Sequence, residues 1–307
     1  MVSDEGRYPW RTRARHWLLI ASLTVAVATW RCDKAPLAPT DPGGGSSGGP
    51  AILIGAADVA DCGPGAEQTA ALLDGISGTV FAAGDLAYMH GTLRNFVDCY
   101  EPSWGRHLSR TRPVPGNHEY ESAGASPYYS YFGESAGPAG RGYYSYRVGA
   151  WKVLALNSET DRGPGSAQLQ FMRTELTDSP TECSIAMWHR PLYTSGPNLP
   201  NQDVREMFRQ AYELGVDIVI NGHDHLYERF APQDADGRFD SARGVRQFIV
   251  GTGGAFLYPS TVRPSNSEVV QSTWGILKLT LWPGRYTWEF LSTPGSNFRD
   301  AGQGVCH

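Results

Sequence analysis

The stretch that decides the fold is Val80-Phe81-Ala82-Ala83-Gly84-Asp85-Leu86-Ala87-Tyr88. A short apolar run of this kind is typical of a buried β-strand, and here it ends in a glycine and a carboxylate. Four other apolar runs also end in side chains that can bind a metal ion. The polar residues that follow the five runs are Asp58, Asp85, Asn117 with His118, His189, and His223 with His225. Because the carboxyl ends of strands in α/β sheets open onto one crevice, we expect these five loops to meet.

The apolar runs and the segments between them predict the fold class. Seven runs predict buried strands, at residues 52–54, 80–83, 153–156, 185–188, 218–220, 248–250 and 276–279. Helical spacing recurs at residues 67–74, 167–176 and 204–214. This mixture favours an α/β sandwich over an all-β fold. Alternating residues at 285–290 predict an antiparallel strand at a sheet edge.

The N-terminal segment predicts export. Four arginines precede an uncharged apolar run at 17–30, and Ala26-Val27-Ala28 has the small-x-small pattern of a cleavage site. We expect a signal peptide over 1–28, a Pro/Gly/Ser-rich tether over 29–50 and one catalytic domain over 51–307. The run is too short for a comfortable membrane span. The mature chain is therefore expected to be periplasmic, attached to the cell surface or secreted, with no membrane span.

Cysteine positions agree with an oxidising compartment. A lipid anchor at Cys32 is an alternative to simple cleavage, although Trp30 and Arg31 are poor residues for a lipobox. The other four cysteines permit three pairings, and we favour Cys62 with Cys99 because each closely follows a predicted site loop. A zinc ribbon is disfavoured because the chain has no Cys-x-x-Cys.

Composition limits the partners. A chain of 307 residues with 41% hydrophobic residues can bury a globular core. Its net charge of −5 gives no indication of a nucleic-acid partner. A small anionic substrate is compatible with this charge, because bound metal ions can dominate the local field.

Each polar motif alone has an ordinary structural explanation. Asp58 could cap a helix, Gly84-Asp85 is a common turn dipeptide, and His189 could be a core histidine. Together, in this order, the motifs predict a two-metal site, in which a carboxylate bridges the cations and imidazoles complete their shells. Asp85 is the natural bridge. Two such cations would acidify a shared water to give a hydroxide that attacks a phosphate ester.

The ordered set of Asp58, Gly84-Asp85, Gly116-Asn117-His118-Glu119, His189 and Gly222-His223-x-His225 resembles the calcineurin-like metallophosphoesterase superfamily. Within it, Gly84-Asp85-Leu86-Ala87-Tyr88 is similar to the Gly-Asp-x-x-Tyr motif of purple acid phosphatases. The resemblance implies a four-layer αββα fold, in which a two-sheet sandwich is flanked by helices.

The resemblance also implies the ligands of each metal. One metal, Fe(III), would bind Asp58, Asp85, Tyr88 and His225. The second metal, Zn, Fe or Mn, would bind Asp85, Asn117, His189 and His223. A phenolate is a hard oxygen ligand, which is the physical reason to expect ferric iron beside Tyr88.

Other residues receive catalytic roles from the same resemblance. His118 would contact the substrate phosphate or protonate the leaving group, and Glu119 would orient His118 by hydrogen bonding. Plant-like enzymes carry a histidine where this chain has Asn198, so acid assistance would depend on His118 alone. Independently of the resemblance, Arg190 could pair with the phosphate, and its alternative is an ordinary surface arginine.

The predicted function is a secreted phosphomonoesterase of the acid phosphatase type, acting on small phosphate esters. One alternative keeps the metals but assigns phosphodiester substrates, such as cyclic nucleotides or lipid head groups. Another alternative is a non-catalytic surface protein that retains the fold.

Overall fold

The computed structural model describes residues 49–307 except Ala139 and Leu199. The predicted signal peptide, Cys32 and all but the last two residues of the predicted tether lie outside the described residues. In this part of the chain, no helix is long and apolar enough to cross a membrane.

Thirteen strands form two sheets in the described part of the chain. The strands are β1 (Ala51–Ala56), β2 (Thr79–Ala83), β3 (Thr111–Val114), β4 (Tyr144–Val148), β5 (Trp151–Ala155), β6 (Ser184–Met187), β7 (Ile218–Asn221), β8 (Tyr227–Phe230), β9 (Arg246–Val250), β10 (Ser267–Gln271), β11 (Gly275–Trp282), β12 (Arg285–Ser292) and β13 (Arg299–Val305). One sheet has the order β13-β12-β11-β1-β2-β3, and the other has the order β10-β8-β9-β7-β6-β5-β4. Strands β1, β2 and β3 run parallel in the first sheet, as do β5, β6, β7 and β9 in the second.

Helices lie between the strands. The α-helices are α1 (Pro64–Asp74), α2 (Leu93–Asn95), α3 (Asn117–Glu121), α4 (Ser126–Phe132), α5 (Ala167–Asp178) and α6 (Arg205–Glu213). A π-helical turn at Phe96–Tyr100 follows α2. Short 3-10 segments lie at Trp104–Arg110, Ala123–Ala125, Gly133–Ala136 and Gln202–Val204.

The period-2 geometry of strands divides the core into layers. Val153, Ile185 and Ile218 of the second sheet belong to one hydrophobic cluster with residues of the first sheet. The alternate residues Leu154 and Ala186 pack instead with a second cluster. This cluster includes Leu169 and Met172 of α5 and Met207 and Phe208 of α6. Two sheets with flanking helices confirm the predicted α/β sandwich.

The seven apolar runs predicted as strands correspond to β1, β2, β5, β6, β7, β9 and β11. The three segments with helical spacing correspond to α1, α5 and α6. Residues 285–290 form the predicted antiparallel strand, but its placement at the sheet edge is wrong, because β13 pairs along its outer side. The sequence of β13 is not apolar, and its glycines allow Trp288 and Tyr286 to pack closely. A Cβ atom added at Gly302 would lie 2.2 Å from the Trp288 ring.

Two disulfides tie distant parts of the chain together. The favoured pairing of Cys62 with Cys99 is confirmed, and Cys183 pairs with Cys306. The first bond joins the loop after β1 to the turn after α2. The second joins the start of β6 to the segment after β13, across 123 residues of sequence.

Removing the second disulfide is expected to destabilise the fold without changing the site. A Cys183→Ser/Cys306→Ser double variant should lose about 2–4 kcal/mol of unfolding free energy, because the unfolded chain gains entropy. Urea denaturation of the variant and the wild type measures the difference. Unchanged stability would mean that this cross-link does not constrain the unfolded chain.

Candidate metal centre

The predicted ligands lie just beyond the carboxyl ends of parallel strands from both sheets. Asp58, Asp85 and Asn117 follow β1, β2 and β3, while His189 and His223 follow β6 and β7. Backbone hydrogen bonds hold these loops together, for example from the Asp58 N–H to the Gly84 carbonyl at 3.0 Å. Across the two sheets, the His223 N–H donates to Asp58 Oδ2 at 2.8 Å. The strand ends therefore meet in one place, as the sequence pattern predicts.

Three predicted ligands have left-handed backbone conformations that are uncommon for residues other than glycine. Their φ angles are 57° at Asp58, 53° at Asp85 and 71° at His223. Such conformations cost free energy and persist where the surrounding structure enforces them, often at functional sites. Gly84 also has a positive φ, and a Cβ atom there would lie 2.5 Å from His189 Nδ1. Backbone geometry thus brings the side chains of this site close together.

One group of donor atoms surrounds the Tyr88 hydroxyl. It donates to Asp58 Oδ1 at 2.8 Å and lies 2.9 Å from His225 Nε2 and 3.4 Å from Asp85 Oδ2. The distance from His225 Nε2 to Asp58 Oδ1 is 3.2 Å. These four side chains are the set that the resemblance assigns to the ferric site.

A second group shares Asp85 with the first. The possible ligand atoms of Asp85, His189 and His223 all lie within 4.8 Å of one another. Asp85 Oδ2 is 3.0 Å from His189 Nε2, so the same oxygen that approaches Tyr88 also approaches this group. Asn117 adjoins it, because the N–H of the following residue, His118, donates to Asp85 Oδ1 at 2.9 Å.

A buried polar atom of the second group indicates that it fits a cation. Asn117 Oδ1 is buried and has no hydrogen-bond partner among the described residues, whereas His189 Nε2 has Asp85 Oδ2 as its neighbour at 3.0 Å. The other nitrogen of His189, Nδ1, lies 3.0 Å from the Ala83 carbonyl oxygen, which fixes the ring and leaves Nε2 directed toward Asp85. Buried polar atoms are rarely left unpaired, so Asn117 Oδ1 is positioned for a ligand. Oxygen and imidazole donors of this kind suit iron, zinc or manganese.

The charges of the site also favour a cation. Burial alone would lower the pKa of His189, but the charge of Asp85, the hydrogen bond to it and the charges of Asp58 and Glu159 together raise the pKa to about 10. For His223, burial and the nearby charges of His189 and Arg190 lower the pKa to about 3. Burial raises the pKa of Tyr88 well above its usual range, and the charges of Asp58 and Asp85 raise it further. Asp85 and His189 thus form a buried pair, 3.0 Å apart, at the place where a cation would bind.

Glu119 holds the loops of the site. Its Oε1 accepts from the N–H groups of Leu86 at 2.8 Å and Ala87 at 3.3 Å. Its Oε2 accepts from those of Asp85 at 3.0 Å and Gly116 at 2.7 Å. Burial and the charge of Asp85 raise the pKa of Glu119 to about 7, while the backbone donors oppose that shift. Glu119 thus fixes the loops after β2 and β3 relative to each other.

The predicted role of Glu119 as the residue that orients His118 is therefore corrected. In the described part of the chain, the hydrogen bonds of the Glu119 carboxylate go to backbone amides. His118 Nδ1 contacts the Met89 carbonyl oxygen and lies 3.1 Å from Glu121 Oε1. On the opposite side of the ring, His118 Nε2 lies 3.8 Å from Asp85 Oδ2. Glu121, two residues further along the same helix, occupies the position expected for Glu119.

Arg190 is not an ordinary surface arginine. Its Nε donates to both carboxylate oxygens of Glu159, at 2.9 and 3.0 Å, and its Nη1 lies 3.3 Å from His223 Nε2. The side chain is only 24% exposed. The structure therefore places a fixed positive charge beside the second donor group.

Some contacts near the proposed ligands cannot be predicted from the local sequence. Asp224, which separates His223 from His225 in the sequence, is buried. Its carboxylate accepts hydrogen bonds from Thr194 Oγ1 at 2.6 Å and from the Asn198 N–H at 3.1 Å. The Asn198 side chain donates to the His223 carbonyl at 2.8 Å. Asn198 therefore places a neutral amide beside the site, at the position where the resemblance implies a histidine in plant-like enzymes.

Aromatic residues form one side of the site. The Tyr258 ring stacks on the His225 ring, with centroids 4.2 Å apart and planes 9° apart. The Phe256 ring lies 4.8 Å from the His225 ring and is largely accessible, with 47% of the residue exposed. The Phe256 carbonyl oxygen lies 2.5 Å from His225 Nδ1, which fixes the ring. Such second contacts commonly orient metal-binding histidines.

Comparison with known proteins agrees with this geometry. The calcineurin-like phosphoesterase family model matches residues 57–227, which contain all the predicted ligands. A probable purple acid phosphatase 20 of Arabidopsis thaliana is 32% identical over 199 residues, covering 56% of this chain and 44% of that protein. The chain therefore spans less than half the length of this relative.

Solved structures share the fold. Purple acid phosphatase PPD1 from yellow lupin seeds aligns with a TM-score of 0.68 and 20% identity, covering 86% of this chain and 55% of the lupin chain. GAP50, the anchor in the inner membrane complex of Plasmodium, aligns with a TM-score of 0.66 and 12% identity, covering 85% of this chain and 90% of that chain. The sequence of this chain is similar to that of a probable purple acid phosphatase, and the chain belongs to the calcineurin-like phosphoesterase family.

Proposed function

We propose that the protein is an exported phosphomonoesterase that uses two metal ions. The observation that carries this proposal is the position of Asp85, whose Oδ2 lies within 3.4 Å of Tyr88 in one donor group and within 3.0 Å of His189 in the other. A shared carboxylate of this kind holds two cations close together. The cations would supply positive charge for the phosphate oxygens and acidify a water that serves as the nucleophile.

Each donor group suits one metal. Asp58, Asp85, Tyr88 and His225 would hold Fe(III), and Asp85, Asn117, His189 and His223 would hold Zn, Fe or Mn. Arg190 would contribute fixed positive charge beside the substrate phosphate, although its pairing with Glu159 offsets part of that charge. Glu119 would keep the ligand loops in place rather than contact the substrate.

His118 is proposed to donate a proton to the leaving group. Its ring lies at the edge of the donor groups, 18% exposed, with Nε2 directed toward Asp85. The nearby Glu121 carboxylate would keep the ring in this orientation. An imidazole in this position can contact both the phosphate and the departing oxygen.

A His118→Ala variant is expected to keep both metals and lose turnover by about 10²–10⁴-fold, because general acid catalysis is removed. The loss should be largest for alkyl phosphates, whose leaving groups most need a proton. Metal analysis and kcat for alkyl and nitrophenyl phosphates measure the effect, with His307→Ala as the control. Full activity toward alkyl phosphates would exclude His118 as the acid.

Tyr88 is expected to give the iron-loaded protein its colour. A tyrosinate bound to Fe(III) produces a charge-transfer band in the visible spectrum, so Tyr88→Phe should remove that band. Tyr212→Phe is a matched control, because its hydroxyl binds Asp240 in a different part of the protein. A band that survives in Tyr88→Phe would show that another residue is the phenolate ligand.

Export is proposed from the predicted signal peptide, and the two disulfides support an oxidising compartment. N-terminal sequencing of the exported protein should find a start at Thr29. A lipid-modified Cys32 at the N-terminus would instead mean that the chain is anchored to a membrane.

A substrate panel tests the proposed reaction. Metal-loaded protein is assayed with phosphomonoesters, with cyclic nucleotides and with glycerophosphodiesters. Faster hydrolysis of the monoesters supports the proposal, whereas faster hydrolysis of the diesters would replace it with the phosphodiesterase alternative. No hydrolysis of any ester by protein with two bound metals would favour a non-catalytic role.

A further inference from the structure

A cleft adjoins the metal centre on the side of His225. It has a volume of about 520 Å³ and lies between residues 257–260 and residues 270–272 at the end of β10. Tyr258 belongs to both places, because its ring stacks on the His225 ring and Tyr258 is one of the residues that line the cleft. The exposed ring of Phe256 lies 5.3 Å from the Tyr258 ring. An aromatic surface therefore leads from the proposed metal ligands to the cleft.

The lining of the cleft is uncharged. It consists of apolar or aromatic side chains, including Leu257, Tyr258 and Val270, together with the polar but neutral Ser260 and Gln271. A lining without lysine or arginine is a poor match for an additional phosphate or carboxylate on the substrate.

The walls of the cleft are held in place. The Tyr258 N–H donates to the His225 carbonyl at 2.9 Å, and the Ser272 hydroxyl donates to the Tyr258 carbonyl. Trp274 Nε1 donates to the Ala255 carbonyl at 2.7 Å, at the start of the same loop. A preformed cleft binds a ligand without the entropy cost of ordering a loop.

From these observations we propose that the cleft binds the leaving group of the substrate, and that the preferred substrates are phosphomonoesters of uncharged aromatic alcohols. This proposal rests on the proposed function, since it places the phosphate at the metal centre. The cleft is an open groove, so it would cover one face of a ring. Leu257 and Val270 would contact that face, while Gln271 and the serine hydroxyls would bind polar groups on the ring edge.

The test uses binding, so that it does not depend on turnover. The ligands are methylphosphonate and 1-naphthylmethylphosphonate, neither of which has an ester bond to hydrolyse. Calorimetry on the metal-loaded protein should show roughly tenfold tighter binding of the naphthyl compound, because its ring loses contact with water. Equal affinities for the two phosphonates would overturn the proposal.

Variants on opposite walls localise the effect. Leu257→Ser and Val270→Ser should each lower the naphthyl preference by roughly threefold, since each removes part of the apolar lining. Val262→Ser is the matched control, because Val262 is 82% exposed and does not line the cleft. If both wall variants kept the full preference for the naphthyl phosphonate, the proposal would be overturned. Two variants are used so that the test still holds if one of them misfolds.

Hydrolysis of 1-naphthyl phosphate by the same samples separates the two proposals. A naphthyl preference in binding without any hydrolysis would overturn the proposed function and support the cleft as an aromatic site. Hydrolysis without any naphthyl preference would support the proposed function and overturn the role of the cleft.

Discussion

Asp85→Asn is expected to abolish two-metal binding and to lower kcat/KM for a phosphomonoester by at least about 10³-fold. A neutral amide cannot bridge two cations, and the charge stabilisation by the metals is worth several kcal/mol in the transition state. Asparagine is the informative replacement because it tolerates the left-handed backbone found at this position. The loss can then be assigned to the carboxylate and not to a distorted loop.

Metal analysis after dialysis, together with steady-state kinetics, measures this effect. Asp98→Asn is the control, because Asp98 is an exposed carboxylate that pairs with Arg94 on a surface helix. It should keep two metals and full activity. An Asp85→Asn protein with two metals and wild-type kinetics would show that Asp85 is not the bridge.

The second large effect is expected at Glu119. Glu119→Gln should lower the free energy of unfolding by about 3 kcal/mol, because buried backbone N–H groups that lose their acceptor are costly. The new side-chain NH₂ group cannot accept from the backbone amides that one carboxylate oxygen now binds. The loops after β2 and β3 should also separate, which would weaken metal binding.

Chemical denaturation of the metal-free protein measures the free energy of unfolding, and metal titration measures the affinity for the metal ions. Glu121→Gln is a matched control on the same helix, because the Glu121 side chain is 40% exposed and makes no comparable set of backbone contacts. It should leave stability nearly unchanged. Equal stabilities of the two variants would mean that the hydrogen bonds of Glu119 contribute little.

The sequence predicts the location of the site because the signal is local. Each strand is a short apolar run, and each ligand follows its strand within a few residues, so the pattern can be read without knowing any long-range contact. The direction of parallel strands then brings the loops together. The family resemblance adds which of these residues are proposed as ligands, and Asp85 lies between the two donor groups, as its proposed bridging role requires.

The roles that the sequence does not predict correctly depend on distant contacts. The Glu119 carboxylate binds the amide of Asp85, 34 residues earlier, and Arg190 pairs with Glu159, 31 residues earlier. Nothing next to these residues in the sequence indicates such partners. The positions of Phe256 and Tyr258 beside His225 likewise have no indication in the neighbouring sequence. Strand β13 was missed because its glycines fit under aromatic rings of β12 and form no apolar pattern.

Metal content tests the central claim most directly. Purified protein is equilibrated with iron and zinc, dialysed, and analysed by mass spectrometry for metal per chain. We expect two metal ions per chain in the wild type, because the donor atoms form two groups that share Asp85. A wild-type protein that retains one metal ion or none would contradict the dinuclear centre.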